Sequence, residues 1–119
     1  MREASRDPGR IEHMLLTIEK IEAYTNGINY KQFVSDDMRM HATIYNIQVI
    51  GEAVYKLTKD FKAEHKEIPW SQIEKMRHIL VHDYYKIVPE AVWDVVTEDI
   101  PNLKPSLQIL QKSINEQHL

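Results

Sequence analysis

The stretch Met40-His41-Ala42-Thr43-Ile44-Tyr45-Asn46-Ile47-Gln48-Val49-Ile50-Gly51-Glu52-Ala53-Val54-Tyr55-Lys56-Leu57 decides the fold. Met40, Ile44, Ile47, Ile50, Val54 and Leu57 recur every three or four residues, which is the period of one helical face. A second stripe of Ala42, Tyr45, Val49 and Ala53 runs beside it. A helix apolar over so much of its circumference belongs between neighbours, so the spacing predicts the central helix of a bundle, running from about Phe33 to Asp60. Gly51 inside that helix costs about 1 kcal/mol against alanine, and close approach of another backbone would account for it. Glu52 follows as a carboxylate among apolar neighbours.

Outward from this segment the pattern stays helical. Asp7-Pro8 reads as a capping residue and first-turn proline ahead of the stripe Ile11, Met14, Leu15, Ile18, Ile21 and Thr25, with Gly27 as the stop. Ser71-Gln72-Ile73-Glu74 has the form of a capping box and predicts a third helix, lined by Ile73, Met76 and Leu80. Pro89 opens a fourth helix through Val92, Val95, Val96 and Ile100, which Pro101 should end. A fifth carries Leu103, Leu107, Leu110 and Ile114. The expected fold is all-α, an up-and-down bundle of about five helices in a single domain over residues 1–119. Its longest connection should lie between Asp60 and Pro69.

Composition narrows the chemistry. A chain of 119 residues, 43% of them hydrophobic, has material for a real core. Cysteine is absent, which excludes disulfides, thiolate metal sites and cysteine nucleophiles. Met1 to Asp7 lacks the apolar run of a signal peptide and no segment reaches membrane-spanning length, so a cytoplasmic location without membrane contact is expected. Net charge is −3, unlike a general nucleic-acid coat, so any RNA contact must be local. Lys59, Lys62, Lys66, Lys75, Arg77 and Lys86 cluster with His65, His78 and His82. Asp60, Glu64, Glu67 and Glu74 are interspersed, which also suits an ordinary solvated face.

Within that region Met76-Arg77-His78-Ile79-Leu80-Val81-His82-Asp83-Tyr84-Tyr85 concentrates the reactive side chains where helical periodicity lapses. Arginine can hold a phosphate, histidine can move a proton near neutrality, and tyrosine offers a hydroxyl for modification. Residues five apart on a regular helix are separated by about 140°, so Arg77 and His82 converge only if the helix ends near His82 or two subunits share a cleft. Each residue also has a plain structural reading. Arg77 could pair with Glu52, His82 could sit at a helix C-terminus, and Tyr84 and Tyr85 could be packing aromatics. His78 and His82, four apart on one helical face, would suit a zinc-type ion with Asp83 or His41, although no complete ligand set is evident.

The spacing Arg77, four residues, His82, one residue, Tyr84 resembles the signature of the HepT-like branch of the HEPN ribonucleases. Val49-Ile50-Gly51-Glu52-Ala53, Ile68-Pro69-Trp70, Val92-Trp93, Ile100-Pro101 and Asp7 resemble further landmarks of that family in the same order. Many members have asparagine or another small polar residue directly after the arginine, where this chain has His78. The resemblance implies a HEPN-type helical bundle that dimerises, with paired motifs lining a cleft. It implies a metal-independent endoribonuclease without cofactor, with Arg77 and His82 as the catalytic pair. It implies a toxin whose partner, a small nucleotidyltransferase antitoxin, transfers AMP to Tyr84, or to Tyr85 next to it. RNA carries its own nucleophile, the 2′-hydroxyl, so cleavage should leave a 2′,3′-cyclic phosphate. A non-catalytic nucleotide- or protein-binding module is the alternative.

Overall fold

The computed structural model describes residues 6–79, 81–82 and 86–117, with the side chains of 79, 81, 82 and 86 left aside. Its long elements are α1 (Asp7–Thr25), α3 (Asp37–Lys56) and α8 (Ile100–Gln117). Between them lie α2 (Tyr30–Ser35), α4 (Lys59–Glu64), α5 (Trp70–Glu74), α6 (Met76–Ile79) and α7 (Pro89–Asp94). The fold is the expected all-α bundle. It carries one small addition, an antiparallel ladder of β1 (Val81–His82) and β2 (Lys86–Ile87) that pairs Val81 with Ile87 and His82 with Lys86.

The helical stripes meet in one apolar core. Ile11, Met14, Leu15, Ile18 and Ile21 of α1 are buried against Met40, Ile44, Ile47, Ile50 and Val54 of α3. Leu103, Leu107, Leu110 and Ile114 of α8 join the same cluster, and α8 packs on α1. On the opposite flank of α3 sit α5 and α6, contributing Trp70, Ile73 and Met76. Phe33 is fully buried and stacks on Trp93 at 5.1 Å between centroids, tying α2 to α7.

Several boundaries differ from the sequence reading, each for a local reason. The helix expected from Phe33 to Asp60 is three helices. Asp36 leaves helical geometry and caps α3, its carboxylate accepting from Arg39 N at 3.1 Å and Arg39 Nε at 3.0 Å. Leu57 is extended, and Thr58 Oγ1 caps α4 by accepting from Phe61 N at 3.2 Å. Short polar side chains that bond the backbone locally compete with helix continuation. The predicted capping box at Ser71 does not form, because α5 already begins at Trp70 with Pro69 before it. A capping box does form at Asn29 and Gln32, through reciprocal bonds of 2.8 and 2.9 Å.

Asp7 begins α1 but caps nothing. Its two oxygens accept from Thr58 N at 3.1 Å and Thr58 Oγ1 at 2.7 Å, so a buried carboxylate ties the start of α1 to the start of α4. Pro101 does not end a helix either. Helical backbone runs without a break from Pro89 to Gln117 because Val95–Asp99 form a π-helical turn, in which Ile100 N–H donates to Val95 O five residues back. The wider turn accommodates a residue that has no N–H to give and a ring that crowds the preceding turn.

Candidate functional site

Gly51 places Arg77. A Cβ at Gly51 would lie 2.6 Å from Arg77 Cγ, 2.9 Å from Arg77 N and 3.2 Å from Glu74 O. The backbone of α5 and α6 therefore crosses α3 where only a hydrogen fits, which is the close approach the sequence suggested. One residue on, Glu52 Oε1 meets Arg77 Nη1 at 3.2 Å. One helical turn beyond the glycine, the Tyr55 ring lies 4.3 Å from Arg77 Cζ, within cation–π range. The guanidinium is held by a carboxylate at one end and an aromatic face beneath it.

The pairing of Arg77 with Glu52 that the sequence allowed does form, at the surface. The Glu52 side chain is 52% exposed against 20% for Arg77, so the pair sits at a rim and contributes little stability. Its effect is orientation. Arg77 carries five N–H donors, and Nε is buried without a hydrogen-bond partner among the described residues.

A cleft of about 810 Å³ opens beside this group. One face of α3 forms its floor through Tyr45, Gln48, Val49, Glu52 and Lys56, which recur at the helical period. Arg6, Arg10 and His13 from the start of α1 form one wall, and Arg77 with His78 the other. The stripe Ala42, Tyr45, Val49, Ala53, expected between packed neighbours, is thus partly a cleft surface, with Tyr45 66% exposed.

Little of the basic run of residues 59–86 reaches the cleft among the described residues. Lys62 approaches Glu74 at 3.9 Å and His65 approaches Glu67 at 3.6 Å, away from it. The Lys62 and His65 side chains are partly buried, and among the described residues of that run only Arg77 and His78 line the cleft. Sequence reasoning missed Arg10, His13, Tyr55 and Lys56. The one available signal was the three-to-four spacing from Tyr45 to Lys56 with Glu52 on it.

His82 stands in β1 and is described through its backbone alone; Tyr84, Tyr85 and Asp83 lie outside the described residues. Since α6 stops at Ile79, the helix ends before His82, as convergence with Arg77 within one chain requires. The same ending removes the shared helical face on which a His78–His82 metal pair depended. Among the described residues no group of three or more His, Asp or Glu is placed to hold a metal ion. No helix there is long and apolar enough to cross a membrane.

A small helical bundle presents an anchored arginine on a basic cleft, an arrangement chemically suited to an anion. Its kinship is narrower than that. Residues 14–110 match the model of the family described as "Ribonuclease HepT-like", and the chain belongs to this HepT-like branch of the HEPN ribonucleases. A Caldanaerobacter subterraneus subsp. tengcongensis protein named "Putative RNase TTE0752" is 34% identical over 103 residues, covering 86% of this chain and 92% of its own. A Thermococcus cleftensis protein named "Probable ribonuclease HepT" is 37% identical over 102 residues, covering 86% and 93%. No solved structure matches the chain.

Proposed function

We propose that this chain is a metal-independent endoribonuclease and the toxin of a toxin–antitoxin pair, working as a homodimer in the cytoplasm. The observation that carries the reading is the seating of Arg77, fixed by Gly51, Glu52 and Tyr55 at the edge of a basic cleft. An arginine oriented in advance can stabilise charge developing on phosphoryl oxygens at no cost of reorganisation. His82, three residues beyond the end of α6, is the proton-transfer group, because imidazole is the side chain suited to taking and giving a proton near neutrality. One proton leaves the 2′-hydroxyl, that oxygen attacks phosphorus, and the 5′-oxygen departs with a proton. The upstream fragment keeps a 2′,3′-cyclic phosphate.

Silencing follows from the same electrostatics. AMP attached to Tyr84 by a nucleotidyltransferase antitoxin would set a bulky anion two positions from His82, where an anionic substrate has to enter. The family relationship and the relatives' names support the ribonuclease part of this reading; the modification rests on the motif resemblance.

The test is cleavage of RNA in excess EDTA by the unmodified protein beside its His82→Ala variant. Cleavage by the first alone, with cyclic-phosphate ends, is expected. Activity that needs a divalent ion, or that survives in His82→Ala, overturns the mechanism. Silence of both proteins on a broad RNA panel makes the chain a binding module instead.

A further inference from the structure

The charge of the cleft comes mainly from outside the motif. Arg6, Arg10, Lys56 and Arg77 line it, with Glu52 as the one carboxylate among the described lining residues, in a chain whose net charge is −3. Arg10 is the unusual member. Its side chain is 20% exposed, and Nη1 is buried without a hydrogen-bond partner among the described residues. The nearest carboxylate, Asp7, stands 4.0 Å away with both oxygens already accepting from Thr58. A buried donor without an acceptor costs stability that a paired one would not, and more so when it is charged. His13, one helical turn on from Arg10, and Lys56, at the end of α3, are exposed on the same cleft. Its volume of about 810 Å³ exceeds what one phosphate group requires and falls in the range of sites for larger ligands.

We propose that this α1 wall is a second phosphate subsite, where Arg10, aided by His13 and Lys56, binds the RNA phosphate adjacent to the scissile one at Arg77. The proposal rests on the ribonuclease reading and adds to it a direction for the strand. RNA then runs along α3, from Arg77 toward the start of α1, and cleavage depends on a phosphate beyond the bond that breaks.

Two substrates separate this subsite from the catalytic pair. A dinucleoside monophosphate has only the scissile phosphate, whereas a pentanucleotide has neighbours for the α1 wall. In EDTA, wild type should favour the pentanucleotide in kcat/KM by about tenfold or more, in line with a charge-assisted contact. Arg10→Gln and Lys56→Gln should each erode that preference, chiefly through KM, and Arg10→Lys should retain most of it. Lys56 is exposed, so its variant answers the question should Arg10→Gln fail to fold. Equal losses on both substrates, or none on either, overturn the subsite. Should wild type cleave neither substrate, the broad RNA panel decides the ribonuclease reading separately. Fluorescence anisotropy with a 2′-O-methyl pentanucleotide then judges the wall. Binding weakened about tenfold by either glutamine variant upholds it, and unchanged binding refutes it.

Discussion

Gly51 and Arg77 are 26 positions apart in sequence and in contact in space, and that contact sets how the candidate site responds to change. Alanine at position 51 would gain about 1 kcal/mol of helix propensity. Its Cβ would also fall 2.6 Å from Arg77 Cγ and 2.9 Å from Arg77 N. One of those atoms is backbone, so the neighbour cannot simply swing aside. Overpacking of this kind costs about 1–3 kcal/mol, more than the propensity returns. Gly51→Ala should therefore lower the melting temperature by a few degrees and reduce cleavage through a displaced Arg77. Thermal melts beside kinetics check both, and a stabilised variant with full activity would contradict the close-approach account. At this scale Arg77 was legible from residue type and spacing. Arg10, His13 and Lys56 were not, because they come to the cleft through the packing of α1 on α3, which no local pattern announces.

Among the elements, the helices written as apolar stripes were readable almost residue by residue. Ile11, Met14, Leu15, Ile18 and Ile21 are all buried, as are Leu103, Leu107, Leu110 and Ile114. The joints were not readable. Asp36 and Thr58 look like solvent-facing positions of one long helix until their side chains are seen capping new ones. The π-helical turn hid the continuity through Pro101 in the same way, because it depends on which carbonyl an N–H finds. That turn also carries a titration. Solvent reaches Asp99, yet partial burial, followed by repulsion from Asp94 and Glu98, pushes its carboxyl above the ordinary value. The folded state then holds the proton more tightly than the unfolded one. Stability falls as pH rises from the ordinary carboxylate range through the raised value. Asp99→Asn should raise the melting temperature at neutral pH, with the gain fading once acid protonates Asp99 in both states. Melts across the acidic to neutral range check this; a gain that persists in acid would assign it to something other than charge.

For the whole molecule, the sign of the total charge and the sign of the cleft are opposed. A chain of net charge −3 repels RNA at long range, and the cations of the cleft act only on a strand already close. Few phosphates are then neutralised. With two or three contacts, at about 0.7 per phosphate for a single strand, log KM should rise with log salt at a slope of about 1.4–2.1. A steep slope, like that of proteins that coat nucleic acid, would mean a much longer contact track than the cleft. Within an envelope of 46 × 30 × 21 Å, the unbroken helical run from Pro89 to Gln117 matches the longest dimension, at about 1.5 Å per residue.

That run contains an offset of phase. Its buried residues step Val92, Val95, Ile100, Leu103, Leu107, Leu110, Ile114, at intervals of three and four save for a single five across the π-helical turn. One surplus residue there would turn everything downstream by about 100° if the backbone kept the ordinary α pitch. The wide turn absorbs that rotation, so both ends of the rod present their apolar edge to the same core. The chain reconciles an odd count in its sequence with a straight seam in space.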